Sequence, residues 1–255
     1  MTTSLPIDSF RTITLSEMQD VKLMNRTDTK YVIPIGFLPS VLESCKGSYF
    51  LQKSSAGGTT EYRTLYFDTP GHDSYLLHLH GREPRQKLRT RIYEDTGDAF
   101  FEIKTKGNKG RTKKRRAQIE VVDFENFLAN PDARDLAKNK SRWDCNVLSP
   151  SVEIRFSRLT LVNYDKTERV TIDYQLNFLN SRNGASASLP EIAILELKRD
   201  GRKRSSMQDI LLQMRIFPTR FSKYCTGLML TDKNLPKGRF KLRLIQLNKL
   251  IDKYA

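Results

Sequence analysis

Charged and apolar residues alternate along several short segments of this sequence, and this alternation restricts its fold more than any other feature. An apolar residue separates two charged ones in Glu102-Ile103-Lys104 and in Glu196-Leu197-Lys198. Polar or charged residues two apart recur at three further places, Arg89/Arg91, Lys114/Arg116 and Arg169/Thr171/Asp173, and the intervening residues are often apolar. Because residues two apart in a strand lie on the same face, each segment predicts a β-strand with one charged face and one apolar face.

Strand-like and helical segments follow each other along the chain and predict an α+β fold with a mainly antiparallel sheet. The predicted strands are Val21–Ile33, Glu61–Asp68, Lys87–Tyr93, Ala99–Lys106, Lys113–Val121, Ser151–Tyr164, Glu168–Phe178 and Glu191–Lys198. The predicted helices are Gly36–Cys45, Asp73–His80, Asp123–Lys140, Ser206–Met214, Ser222–Leu230 and Phe240–Ile251. No internal repeat divides the sequence, so we predict one domain over residues 1–255, with a core at about 20–235 and a C-terminal amphipathic helix at about 238–252.

The charged strand faces have two interpretations. An antiparallel sheet with one solvated face gives the same alternation. These faces are mostly basic, however, whereas a solvated face usually mixes both signs, and eight strands suffice to close a barrel around one ligand. We therefore predict a closed eight-stranded antiparallel β-tunnel with a basic interior that faces a polyanion. Its apolar outer face needs helices to cover it, and candidates for the covering residues are Phe37, Leu38, Val41, Leu42, Leu76, Leu77 and Leu79.

The charge balance also favours a polyanionic partner. Lys and Arg number 44 against 29 Asp and Glu, which gives a net charge of +15 at pH 7. Few aromatic residues interleave with the basic strand positions, so we expect no nucleic acid partner. Three scattered cysteines, no signal peptide and no apolar run of ~18–20 residues predict a reduced, cytoplasmic protein without a transmembrane segment.

Nine motifs occur in an order that resembles a known family. They are NRTDTKY at 25–31, YRTLYFDT at 62–69, KLRTRIYED at 87–95, FFEIKTK at 100–106, KKRR at 113–116, FSRL at 156–159, RVTID at 169–173, ILELK at 194–198 and FSKYCTG at 221–227. In this order the chain resembles the VTC domain, the polyphosphate polymerase module of the vacuolar transporter chaperone complex. That family belongs to the triphosphate tunnel metalloenzymes, together with the CYTH-type triphosphatases. The resemblance implies an eight-stranded tunnel whose basic side chains hold the phosphates of a nucleotide.

The resemblance also implies roles for individual residues. The predicted catalytic residues, which contact the reacting phosphates, are Lys30, Arg89, Arg91, Lys104, Arg158 and Arg169. Further phosphate-binding positions are Lys114, Arg116, Arg220 and Lys223. Glu196 matches the metal-binding carboxylate of the family. Glu102 is a second metal candidate, which could equally orient Lys104 or Arg91. The family often has Lys in place of Arg220, and Tyr-x-Arg in place of Phe156-Ser157-Arg158.

These residue types suit phosphoryl transfer, which needs in-line positioning and stabilisation of oxygen charge rather than covalent help. The expected cofactor is Mn²⁺ or Mg²⁺, because both ions prefer oxygen ligands and bridge phosphate oxygens. The expected partners are ATP or another nucleoside triphosphate and inorganic polyphosphate or pyrophosphate. The leading hypothesis is a polyphosphate polymerase that transfers the γ-phosphoryl of ATP to a growing chain. Two alternatives stay open, a triphosphatase of the same fold and a non-catalytic polyphosphate- or polyanion-binding module.

Overall fold

One mostly antiparallel sheet organises the computed structural model, which describes residues 5–20, 26–54, 57–108, 112–201, 204–238 and 240–254. Its strands are β1 (Thr12–Ile13), β2 (Arg26–Pro34), β3 (Tyr49–Gln52), β4 (Thr60–Asp68), β5 (Arg85–Tyr93), β6 (Asp98–Lys106), β7 (Thr112–Ile119), β8 (Ser149–Asn163), β9 (Glu168–Asn180), β10 (Ser186–Leu189) and β11 (Ile192–Asp200). The eight long strands follow the order β2-β11-β9-β8-β4-β5-β6-β7, and each neighbouring pair is antiparallel.

The eight long strands correspond to the eight predicted ones, although residues 21–25 of the first prediction lie outside the described residues. The sequence did not predict three short strands at the flanks. Among them, β3 pairs with β8, β1 pairs in parallel with β3, and β10 pairs with β9. These strands have only two or four residues, which is too short for an alternation of period two to stand out.

The predicted closure of the sheet is not confirmed. The order of the strands ends at β2 and β7, and no hydrogen-bonded pairing joins these two edges within the described residues. The sheet is therefore an open one of eleven strands rather than a closed barrel of eight. Like charges face each other near the gap, since Lys30 on β2 repels Lys104 on β6. Without an anion between them, this repulsion opposes a closer approach of the two ends.

The sheet is nevertheless strongly curved. Lys104 on β6 interacts electrostatically with Glu196 on β11, and five strand steps separate β6 from β11 along the sheet. In a flat sheet these strands would lie roughly 24 Å apart, since neighbouring strands are about 4.8 Å apart. The interaction therefore requires that the sheet curls around the charged face, which is concave.

Helices cover the apolar convex face, as predicted. The helices are α1 (Leu38–Cys45), α2 (Asp73–His80), α3 (Pro131–Lys140), α4 (Ser206–Gln213), α5 (Lys223–Thr231) and α6 (Phe240–Tyr254). Leu38, Val41 and Leu42 of α1 join Met207 and Leu211 of α4 in one buried cluster against β8, β9 and β11. Helix α3, Phe124 and the 3₁₀ turn at 127–129 cover β5, β6 and β7 in a second cluster.

Two helices lie elsewhere, and one of them corrects a prediction. Helix α2, which was expected on the outer face, contributes Leu79 to a third cluster together with α5 and strand residues of the concave side. Helix α5 itself lies inside the curve, where buried Tyr224 stacks on Tyr66 with the ring centroids 5.0 Å apart. A Cβ atom at Gly227 would lie 2.6 Å from Phe178 Cδ1. Only glycine therefore allows α5 to pack this closely against the sheet.

The predicted C-terminal helix corresponds to α6, which packs through Phe240 and Leu247 against the cluster around α5. The hydroxyl of Tyr75 on α2 donates to the carbonyl of Pro236 at 2.8 Å and ties the segment before α6 to α2. Among the described residues, no helix is both long and apolar enough to cross a membrane.

Candidate functional site

The concave face of the sheet and the N-terminus of α5 form what we call the basic channel. Cations outnumber carboxylates along it, which sets it apart from an ordinary polar surface. Its cations are Lys30, Lys87, Arg89, Arg91, Lys104, Lys114, Arg116, Arg158, Arg169, Lys198 and Lys223, and its carboxylates are Asp28, Glu102, Asp173 and Glu196.

Glu102 is the buried centre of a first charge cluster. Its side chain is 1% exposed and accepts from Arg89 Nε at 2.8 Å, while Lys114 forms an ion pair with its other oxygen. Burial raises the pKa of Glu102, but Arg89, Arg91 and Lys114 outweigh it and hold the pKa well below its ordinary value. Glu102 therefore stays ionised and fixes the position of Arg89.

Asp173 is the centre of a second cluster. The guanidinium of Arg158 grips both of its oxygens, with Nη2 at 2.8 Å from Oδ2, and Lys223 of α5 binds Oδ2 as well. Burial raises the pKa of Asp173, but Arg158 and Lys223 lower it by more than burial raises it. The pKa is therefore below its ordinary value, and the carboxylate is ionised. Burial lowers the pKa of Lys223 to about 7, against the opposing effect of Asp173.

Glu196 on β11 is the centre of a third cluster. Lys30 on β2 binds its Oε1, and the ammonium of Lys198 lies 2.9 Å from its Oε2. Burial raises the pKa of Glu196, but Lys198, Lys30 and Lys104 hold it well below the ordinary value. Burial lowers the pKa of Lys198 to about 8, against the effect of Glu196.

Arg91 and Lys104 interact with Glu102 and Glu196, respectively, only at a longer range than an ion pair. Arg91 is 7% exposed, and its Nε donates to Thr64 Oγ1 at 3.3 Å. Burial and the neighbouring Arg89 lower the pKa of Arg91. The side chain of Lys104 is exposed to the solvent of the channel. Desolvation by the surrounding protein still lowers its pKa. Across the described ranges neither residue forms an ion pair, so both are available to an anion that enters the channel.

Aromatic rings pack against several cations of the channel. Tyr62 lies under both Arg158 and Arg91, with guanidinium-to-centroid distances of 4.7 Å and 5.1 Å. Tyr66 interacts with Arg89, whose Nη1 donates to the phenol oxygen at 3.0 Å. Because a guanidinium stacks on a ring face with a favourable energy, these rings keep like charges in place against their mutual repulsion.

The structure brings eleven of the twelve predicted site residues to the channel or its rim. Arg220 differs: it is exposed on the loop before α5 and borders a cavity of about 720 Å³ between that loop and α6. The sequence analysis missed Lys87, Lys198 and Asp173 as site residues. The spacing could have revealed the two lysines, because Lys87 is two residues before Arg89 and Lys198 is two after Glu196. Lys87 donates to Ser222 Oγ at 2.9 Å, which links β5 to the start of α5.

The carboxylates of the channel fit a divalent ion only in company with phosphate oxygens. No group of three His, Cys, Asp or Glu residues that could hold a metal occurs in the part of the chain that is described. Glu102 is shielded between Arg89 and Lys114, whereas Glu196 is 16% exposed toward the channel. Mg²⁺ usually takes one or two carboxylates and completes its shell with water and substrate phosphates, so Glu196 is the more accessible ligand.

Comparison with solved structures finds matches at low sequence identity. A putative adenylyl cyclase from Hippeastrum, described as having a dominant triphosphatase activity, matches with a TM-score of 0.53 and 16% identity over 84% of this chain and 98% of that chain. A protein from Pyrococcus horikoshii matches with a TM-score of 0.40 and 11% identity over 79% of this chain and 99% of that chain. At such identities the Hippeastrum match shows the fold alone. No curated protein sequence matches significantly.

A family model decides the classification. The model of the VTC domain matches residues 25–231, a range that contains every strand from β2 to β11 and the whole of α5. This range agrees with the order of motifs on which the resemblance was based, so that resemblance is confirmed. The chain therefore belongs to the VTC domain family.

Proposed function

We propose that this protein is a polyphosphate polymerase-like phosphotransferase, which transfers the γ-phosphoryl group of ATP to a growing polyphosphate chain in the basic channel. In this proposal the edge strands β2 and β7 approach each other around the bound phosphates and complete a tunnel. Membership of the VTC domain family supports an enzyme that acts on phosphates.

The surplus of cations in the channel is the observation that carries this proposal. Glu102, Asp173 and Glu196 each form ion pairs with two basic side chains, so each cluster keeps an excess of positive charge. Arg91 and Lys104 add further positive charge without an ion pair of their own within the described residues. Unpaired buried charge is costly, and Arg91 is 7% exposed, so a polyanion that binds Arg91 gains more free energy here than at a solvated surface. A chain of phosphates fits this requirement because it carries repeated charges along one line.

The chemistry follows from positioning and charge. A terminal oxygen of the polyphosphate chain attacks the γ-phosphorus in line, the bond from that phosphorus to the β,γ-bridging oxygen breaks, and ADP leaves with the electron pair. Arg89, Arg91 and Lys104 hold the phosphate oxygens in place and stabilise their charge in the transition state. A Mn²⁺ or Mg²⁺ ion held by Glu196 would add charge neutralisation on phosphate oxygens.

A triphosphatase is the second candidate, and the Hippeastrum protein with triphosphatase activity favours it. The same cradle serves both reactions, because only the attacking oxygen differs: it belongs to a phosphate chain in one and to water in the other. Neither the cation positions nor the metal ligand distinguishes between these nucleophiles.

One assay separates the two. The purified protein is incubated with ATP and Mn²⁺, and the products are followed at once for polyphosphate on gels and for free phosphate. Polymer that lengthens with time supports the polymerase. Free phosphate with no polymer at any protein concentration would replace the polymerase by the triphosphatase, and the absence of both products would leave only binding.

The affinity for polyanions is expected to depend on the charge of Lys223. In the free protein its pKa is about 7, and a bound polyanion raises this pKa, so binding takes up a proton once the pH exceeds about 7. The affinity contributed by Lys223 is complete below that pH and declines as the pH rises, by at most about tenfold per pH unit. Lys223→Arg, which stays charged, should therefore bind tripolyphosphate increasingly better than the wild type at alkaline pH.

Isothermal titration calorimetry across this pH range measures the ratio of the two affinities, which cancels the titration of the ligand itself. Lys241→Arg on the exposed side of α6 is the matched control and should leave the ratio at one. A ratio for Lys223→Arg that does not change with pH contradicts the prediction.

A further inference from the structure

We propose that Phe100, Tyr93 and the guanidinium of Arg116 form a stacking platform for the nucleobase of ATP at the rim of the basic channel. The inference rests on the proposed function, because it names the part of the nucleotide that the phosphate-binding cations leave unbound. It also changes the role expected for Arg116, from a phosphate ligand to a residue that contacts the base.

The platform lies at the end of the channel opposite α5. Along β5 the residues of the concave face run from Lys87, next to Ser222 of α5, through Arg89 and Arg91 to Tyr93. Tyr93 is six residues from Lys87, or roughly 20 Å along a strand. Phe100 lies on the same face of β6 as Glu102, and its ring is 6.0 Å from that of Tyr93 in a T-shaped arrangement.

Arg116 completes the platform from the neighbouring strand β7. Its guanidinium lies 4.5 Å from the centroid of Phe100, and its side chain is exposed to solvent. Phe100 and Tyr93 are themselves half-buried. The guanidinium is therefore in contact with the Phe100 ring and also open to water, and a planar guanidinium in this position can offer a stacking surface to an aromatic ligand.

The charges change sign beyond this level of the channel. On the concave face of β6, Lys104 and Glu102 are followed by Phe100 and then by Asp98, the exposed first residue of β6. The Asp98 carboxylate accepts from Thr96 Oγ1 at 2.7 Å and repels phosphate. The rim thus opposes a continued phosphate chain and suits a planar, uncharged group, which is what a nucleobase attached to a triphosphate provides.

The inference is tested by comparing ATP with tripolyphosphate, which has the phosphates but no base. Dissociation constants are measured by calorimetry in EDTA, so that no metal contributes. Phe100→Leu keeps an apolar side chain but loses the ring. It is expected to lower the affinity for ATP about tenfold and to leave the affinity for tripolyphosphate unchanged. Arg116→Lys keeps the charge but loses the planar guanidinium. It should lower the affinity for ATP by a smaller factor, again without an effect on the affinity for tripolyphosphate.

Phe50→Leu is the matched control, since Phe50 packs on Tyr164 at 4.5 Å and under Arg11 in a similar cluster on β3, away from the channel. It should change neither affinity. If the wild type binds both ligands and Phe100→Leu and Arg116→Lys leave their affinity ratio unchanged, the platform is wrong and the proposed function stands. If the wild type binds neither ligand, both are wrong. Equal weakening of both ligands by Arg116→Lys would return Arg116 to phosphate binding and overturn the inference.

Discussion

Asp173→Asn is expected to lower the free energy of unfolding of the ligand-free protein by about 3–5 kcal/mol. The Asp173 carboxylate is 5% exposed and is the shared partner of Arg158 and Lys223, each 14% exposed. Asparagine keeps the shape but leaves the Arg158 guanidinium without its counter-ion, and it removes the negative charge that favours the protonated form of Lys223. Removing one member of a buried ionic cluster is costly because the remaining charges stay desolvated. Urea unfolding at neutral pH measures the loss.

The same substitution should make the protein more dependent on a polyanion. With Asp173 neutral, bound phosphates replace its charge, so tripolyphosphate should raise the melting temperature of Asp173→Asn more than that of the wild type. Asp209→Asn is the matched control, because its pair with Arg204 is exposed, with 43% and 88% exposure, and should change stability by less than about 1 kcal/mol. If tripolyphosphate raises the melting temperatures of Asp173→Asn and of the wild type equally, bound phosphate does not replace the charge of Asp173, and the prediction is wrong.

The long strands could be predicted from the sequence, whereas the placement of the inner helices could not. An alternation of charged and apolar residues, as in Phe101-Glu102-Ile103-Lys104 of β6, is a local property and defines both a strand and its two faces. The apolar stripe of a helix shows that the helix packs, but not against what. Leu79 of α2 therefore fitted the outer surface as well as the interior cluster with α5, and only the tertiary structure decides between them.

The site was predictable to the same extent and for the same reason. Spacing assigns Arg89, Arg91 and Glu102 to the charged faces, but it does not show that Arg89 and Lys114 both bind Glu102. That grouping depends on the register between β5, β6 and β7. Spacing likewise assigns Asp173 to the charged face of β9, but it does not show that one of its two partners, Lys223, comes from a helix 50 residues later.

Glu196→Gln is expected to separate turnover from binding. In the absence of metal, Glu196 holds Lys30 and Lys198, so neutralising it frees two cations for phosphate. Metal-free binding of tripolyphosphate should therefore stay the same or become tighter. Turnover of ATP with Mn²⁺ should fall by about a hundredfold or more, since a metal ion contributes several kcal/mol of charge stabilisation in such transition states.

Two further variants decide whether this effect belongs to the metal site. Glu191→Gln makes the same change just before the start of β11, outside the channel, and should leave turnover unchanged. Glu102→Gln removes a carboxylate that is 1% exposed and holds Arg89 and Lys114, so it should lower stability while the protein keeps the Mn²⁺ concentration it needs for half-maximal rate. Glu196→Gln should raise that concentration. If Glu196→Gln instead lowers binding and turnover by equal factors, Glu196 only positions Lys30 and Lys198, and the divalent ion is held elsewhere.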